Sequence, residues 1–301
     1  MKELFISQRK NTILWSIIML LLASCERVAL DNDDETDDKR TVTVSVMQVE
    51  NIPWQETRAA SDLCTRLSIA FFDYTTGEKL VQMNQLKDVD EDFGTFEVQL
   101  KPQKAYKMVV IGYTAPEFAL LNAYDDVQFV NNAITADVFS YCYAFNVGAY
   151  DSELAVTLKR VSALIALDIT GDIPKEALYF RFRIVGASRN LNPTTGLGNS
   201  IRKFLEVKKT FEKGVTFYST NVFAMENPHK LDTLQITAYN NKDEVIRSIK
   251  YINEVSIAPN RQTVIKGDFF KTKINPSVTI DEEWDSTIEY DIPDEDESGQ
   301  P

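Results

Sequence analysis

From Thr41 to Val46 valine alternates with threonine and serine, so Val42, Val44 and Val46 fall on one face of an extended chain and Thr41, Thr43 and Ser45 on the other. A helix cannot use that spacing, because a period of two scatters apolar residues around a turn of ~3.6 residues. The same texture recurs along the chain, over residues 66–74, 93–100, 106–113, 141–147 and 153–159 in the first half. It continues over 162–170, 179–185, 215–222, 234–239, 245–252 and 263–269 in the second. Turn-forming runs such as Thr75-Thr76-Gly77-Glu78 separate these segments, and no long helical period competes with them. Short helices are expected only over 116–124 and 174–177, where alternation lapses. The fold class is therefore all-β, of the sandwich type. About 260 residues exceed one sandwich of ~100, so two in series are expected. The division falls near Arg160, giving sandwiches over 41–159 and 160–270 and a C-terminal strand segment with an acidic tail over 271–301. The mostly apolar run 158–167 reads as one strand carrying the chain between the two cores.

The N-terminus has a different grammar. Lys2, Arg9 and Lys10 precede an apolar run over 13–22 that ends in Leu22-Ala23-Ser24-Cys25, the order of a secretion signal. The run is short for a transmembrane helix, which takes about 20 apolar residues, and no stop-transfer charge cluster follows it. Ala23 and Ser24 are small enough for a peptidase groove, and Cys25 offers a thiol for a diacylglyceryl group; the pattern resembles the bacterial lipobox. The reading is a signal peptide over 1–24 and a chain attached to a membrane through lipid on Cys25, against a plain signal anchor with a buried cysteine. Residues 25–40 then form an acidic tether, with Asp31, Asp33, Asp34, Glu35, Asp37 and Asp38 in close succession. Loss of the signal removes three basic residues and one acidic one, so the net charge of −13 becomes −15. Nucleic acid is excluded as a partner on that balance.

Residues that could carry chemistry are sparse. Beyond Cys25 only Cys64 and Cys142 remain; export permits a disulfide between them, and two small buried side chains fit equally well. His229 is the single histidine, without a spaced partner for a metal pair or a triad, and reads as part of a surface turn. The glycines of Asn192-Pro193-Thr194-Thr195-Gly196-Leu197-Gly198 lack the spacing of a phosphate cradle and read as a hairpin or loop. No catalytic residue, cofactor or metal is expected, and the chain reads as a protein that is not an enzyme.

Several segments, in order, resemble the FimB-type subunits of the fimbrillin superfamily, which anchor type V fimbriae to the outer membrane. They are the lipobox, Thr57-Arg58-Ala59-Ala60, Cys64-Thr65-Arg66-Leu67-Ser68-Ile69-Ala70-Phe71-Phe72-Asp73, Asp92-Phe93-Gly94, and Tyr106-Lys107-Met108-Val109-Val110-Ile111-Gly112. Leu158-Lys159-Arg160-Val161-Ser162-Ala163, the 192–198 loop and Ile280-Asp281-Glu282-Glu283-Trp284 continue the series. The resemblance implies transthyretin-like sandwiches and a subunit that joins other fimbrial subunits by strand complementation. Val278, Ile280, Trp284, Ile288 and Tyr290 then form a donor strand, or else the last strand of their own domain. Stalk subunits of the superfamily are cut after an arginine to release the first strand. Arg58 stands where such a cut would fall, and an uncut Arg58 fits a permanent anchor. The alternatives are a fimbrial tip adhesin, or a surface lipoprotein that binds glycan or a host or bacterial surface ligand. Exposed aromatics would mark the latter, with Trp54, Trp284, Tyr141, Tyr143 and Tyr150 available.

Overall fold

A computed structural model describes residues 39–51, 56–59, 63–129, 137–200, 204–271 and 286–291. The chain opens with β1 (Arg40–Asn51), β2 (Glu56–Ala59), β3 (Arg66–Asp73), β4 (Lys79–Leu86), β5 (Thr95–Leu100) and β6 (Ala105–Tyr113). Next come β7 (Leu120–Ala123), β8 (Asp126–Gln128), β9 (Val138–Asn146), β10 (Ser152–Arg160), β11 (Ala163–Ile169) and β12 (Tyr179–Val185). Then follow β13 (Leu191–Asn192), β14 (Leu197–Gly198), β15 (Leu205–Thr210), β16 (Phe217–Val222) and β17 (His229–Lys230). The series closes with β18 (Thr233–Tyr239), β19 (Val245–Ile252), β20 (Ser256–Ile257), β21 (Arg261–Gly267) and β22 (Ser286–Asp291).

In the first half β9, β6, β3 and β4 pair antiparallel as one layer. Opposite them β1 runs parallel to β10 and takes β5 and then β2 along its other edge. Among the described residues the two layers pair at one corner, where Lys159 and Arg160 meet Ser140 and Phe139. Between them lies a core in which Val42, Val44, Val46 and Val49 of β1 meet Leu67, Ile69 and Phe71 of β3 and Met108 and Val110 of β6. The alternation at the start of β1 has become one buried face.

The second half repeats the arrangement. The sheet β16-β11-β21-β22 faces the sheet β15-β12-β18-β19. Ile165, Leu167 and Ile265 from the first pack against Phe180, Phe182, Ile184 and Ile236 from the second. A third cluster draws on both halves: Phe72, Val109, Ile111, Tyr113, Leu121 and Val127 meet Val161, Leu191 and Phe223. The small sheet β14-β13-β8-β7 crosses the same divide through the pairing of Leu191 with Val127. The described residues from Arg40 onward accordingly cluster as one compact unit.

Three expectations are corrected. The segment 116–124 contains strand β7 rather than a helix, because pairing with β8 turns Leu121 and Val127 together into the third cluster. At 174–177 there is a turn, closed by the Ala177 amide on the Pro174 carbonyl. The apolar run 158–167 is likewise two strands rather than one. It breaks at Val161 and Ser162, whose amides both turn back to the Val138 carbonyl while the buried Ser162 hydroxyl accepts from the Val138 amide.

Phe223 lies 5.8 Å from Phe129, which in turn lies 5.5 Å from Tyr113 across the same cluster. Truncating a buried phenylalanine costs about 3–5 kcal/mol. Phe223→Ala is therefore expected to lower the melting temperature and, by loosening the shared cluster, to split one calorimetric unfolding transition into two. A single transition with an unchanged midpoint would show that the cluster does not couple the halves.

Candidate assembly interface

Strand β1 sends four valines into the first core. Its amides and carbonyls are paired on both edges, and its first residues are pinned by side chains. The Arg40 Nε donates to the Ala149 carbonyl (2.6 Å), and the Thr41 amide donates to Asp151 Oδ1 (2.7 Å). A bulge at Met47 shifts the register against β10 between Val46 and Gln48, and Met47 is exposed. At that point the Val46 amide bonds the Gly94 carbonyl (2.7 Å). Gly94 has φ +103°, and a Cβ there would sit 3.1 Å from the Val46 carbonyl oxygen. The Gln85 side chain of β4 secures the same turn, accepting from the Gly94 amide and donating to the Thr95 carbonyl. The family-like Asp92-Phe93-Gly94 is thus the seat of the β1 bulge, a role its sequence signals only as an isolated glycine shortly after the acidic run Asp90-Glu91-Asp92.

Arg58 lies in β2, where its backbone pairs with Val49 of β1. A protease that cuts after Arg58 must first peel β2 from β1. The cut would leave β1 covalently separate from the body while its four valines remain inserted in the core.

At the other end of the chain β22 adds to the edge of β21 in parallel, placing residue 288 opposite Thr263 and residue 290 opposite Ile265. Ile265 belongs to the second core and Thr263 is fully buried. Without β22 the outer edge of β21 would present unpaired amides and carbonyls beside this core, the situation that invites an added strand. Ile288 and Tyr290 therefore stand, by register, in the C-terminal strand on the chain's own sheet. Cys25, Val278, Ile280, Trp284 and Trp54 lie outside the described residues.

The remaining sequence candidates have structural roles. Cys64 and Cys142 are both free thiols. Cys64 lies in the first core while Cys142 packs against the third cluster, on the opposite face of the β3-β6-β9 layer, so the pairing that export permits is not formed. Burial pushes the Cys64 thiol up to about 12, and burial, opposed in part by Lys107, raises that of Cys142. His229 is half-buried: its Nε2 meets the Gly186 carbonyl and its Nδ1 lies 3.6 Å from Glu226. It braces β17 against a tight bend at Gly186 (φ +97°). The 192–198 loop is the hairpin β13–β14, closed by the Thr194 amide on Asn192 Oδ1 and the Gly196 amide on the Asn192 carbonyl. Of the available aromatics Tyr143 and Tyr150 are exposed, and Tyr141 is partly buried beside Tyr143. Among the described residues no group of three or more His, Cys, Asp or Glu could hold a metal ion, and no helix is long and apolar enough to cross a membrane.

Residues 34–295 match the model of a family of unknown function, DUF6562. The chain belongs to this family. No curated protein matches it. Among solved structures it is similar to a proposed adhesin from Bacteroides ovatus ATCC 8483, at 12% identity over 88% of this chain and 95% of that one (TM-score 0.47). Another proposed adhesin from Bacteroides ovatus aligns at 10% identity over 70% and 75% (TM-score 0.47). The fimbrial anchor protein Mfa2 from Porphyromonas gingivalis aligns at 12% identity over 70% and 81% (TM-score 0.43). All three are distant in sequence.

The thiol environments give a direct measurement. Only the thiolate alkylates, and a thiol near 12 is ionised in about one molecule in ten thousand at pH 8. Cys64 in the folded protein is expected to resist iodoacetamide at pH 8 and to react on unfolding, as read by peptide mass spectrometry. Its folded pKa lies above its unfolded one, so its stabilising contribution is complete below about pH 9 and is lost as pH rises toward 12. Denaturant midpoints are therefore expected to fall across that window in the native protein and to fall less in Cys64→Ala.

Proposed function

We propose that this protein is a non-enzymatic subunit of a fimbria, the lipid-attached anchor that holds and terminates the polymer at the outer membrane of the cell surface. The observation that carries the reading is the asymmetry between its two terminal strands. β1 is locked into a core between β10 and β5, whereas among the described residues β22 pairs along one edge, with β21. A subunit that keeps its own first strand has its first groove filled and accepts no strand there. Its C-terminal strand, attached at an edge, is the one that can be exchanged with a neighbour, and its alternating residues suit β-augmentation. An uncut Arg58 keeps the body joined to the tether and to lipid on Cys25, as an anchor requires. The transthyretin-like character of both sandwiches, and their standing as two domains, belong to the same reading.

Deletion of the gene in the native host is expected to release long fimbriae into the medium, and complementation with Cys25→Ala is expected not to retain them. Fimbriae that stay cell-bound after deletion would overturn the anchor assignment. Strand complementation has its own test. A chain ending at Lys271 is expected to bind a synthetic peptide of residues 276–292 and recover the melting temperature lost on truncation. A truncated protein indifferent to the peptide would remove β22 as an exchangeable strand.

A further inference from the structure

The outer face of the sheet β15-β12-β18-β19 carries a charge opposite to that of the chain. Alternation along β12 sends Phe180, Phe182 and Ile184 into the second core and leaves Arg181 and Arg183 on the outside. The register aligns Lys208, Arg181, Thr237 and Ser248 in one row across the four strands, and Glu206, Arg183, Gln235 and Lys250 in the next. Four cations thus share this face with one carboxylate in the two rows, in a chain with 45 acidic and 32 basic residues.

The arrangement is unfavourable as it stands. Lys208 and Arg181 are directly opposite each other, and like charges in that position destabilise a sheet. Glu206, in register with Arg183, instead bridges to Arg181 (3.2 Å). Arg183 is left over the ring of Phe204 (4.4 Å), and Lys208 over the ring of Tyr179 (3.7 Å). Arg183, Lys208 and Lys250 pair with no carboxylate among the described residues. Beneath them is a rigid floor: Tyr179 and Tyr239 stack at 4.9 Å and 16°, Arg181 lies over both rings, and the Tyr179 hydroxyl donates to Asp243 (2.7 Å). That floor holds Arg181 and Lys208 in place before any ligand arrives, which reduces the ordering cost of binding.

We propose that this face binds an acidic polysaccharide, a chain with carboxylates at sparse intervals. The face belongs to the middle of a sheet, with β12 and β18 paired on both edges. An acidic peptide finds no backbone ladder to join there, so only its charges would be recognised. A sugar chain brings its own hydroxyls to Gln235 and Ser248, whose side chains are linked by a hydrogen bond of 3.0 Å, with Ser248 braced from below by the buried Thr237 hydroxyl (2.8 Å). Duplex nucleic acid, with about one charge per 1.7 Å, is far denser in charge than four cations spread over two rows. The acidic remainder of the protein is screened beyond ~8 Å at physiological salt. The proposal uses neither β1 nor β22, so it stands or falls separately from the anchor reading.

The test uses the full mature chain in nonionic detergent, with polygalacturonate as probe and neutral dextran, polyglutamate and phosphatidylglycerol vesicles as comparators. At physiological salt the protein is expected to bind polygalacturonate and not dextran. Arg183→Glu with Lys250→Glu is expected to weaken binding by at least about tenfold and to flatten its salt dependence. Lys87→Glu with Lys104→Glu, the same charge change in the other sandwich, is expected to leave it nearly unchanged. The milder Arg183→Gln with Lys250→Gln gives an intermediate loss and guards against misfolding of the reversal. Absence of polygalacturonate binding, equal loss in both charge reversals, or tighter binding to polyglutamate or the vesicles would each overturn the proposal.

Discussion

The structure depends on a sheet layer that is buried on both faces. In β3, Leu67, Ile69 and Phe71 enter the first core, while Ala70 and Phe72 enter the cluster shared with the second half. In β6, Met108 and Val110 take the first side and Val109 and Ile111 the second. The middles of β3 and β6 have no solvent face on which to carry polar groups, so a polar side chain there costs free energy unless it is satisfied internally. Ser68 is fully buried, meeting Asn84 at 2.7 Å and the Tyr113 hydroxyl at 3.0 Å, and that hydroxyl accepts from the Ala119 amide. The third cluster exists only because this layer has a second apolar face to cover.

Much of this was legible in the sequence, and the reasons differ by element. The alternation of β1 and β12 and the apolar runs of β3 and β6 were clear because burial dictated nearly every residue. Those two runs are continuous rather than alternating, the mark of a strand covered on both sides. Strand β4 escaped notice because it is an edge with much of its surface in water, so its sequence is under weak apolar constraint. Strands β7 and β8 were hidden for another reason: each contributes one buried apolar residue, Leu121 or Val127, too few to establish a period.

The candidate sites divide in the same way. Cys64 and Cys142 are close in type and compartment, but a residue's face is a property of register, and theirs are opposite. His229, isolated in the sequence, gains its function as a brace from a bend at Gly186 that no spacing reveals. The basic face could have been read from Phe180-Arg181-Phe182-Arg183, where the phenylalanines fix which side the arginines must occupy. What could not be read is the cross-strand register that brings Lys208 against Arg181, since that depends on the pairing of β12 with β15.

The parallel pairing of β1 with β10 has a mechanical meaning. A pull applied to the chain ahead of Arg40, the first residue of β1, would act along the strand. Loaded that way the strand must slide against β10 on one side and β5 on the other, so its hydrogen bonds resist together rather than opening one after another. The four buried valines would also have to leave the core in the same motion. A strand pulled lengthwise in this geometry is a shear clamp, and the Met47 bulge seated on Gly94 acts as its detent.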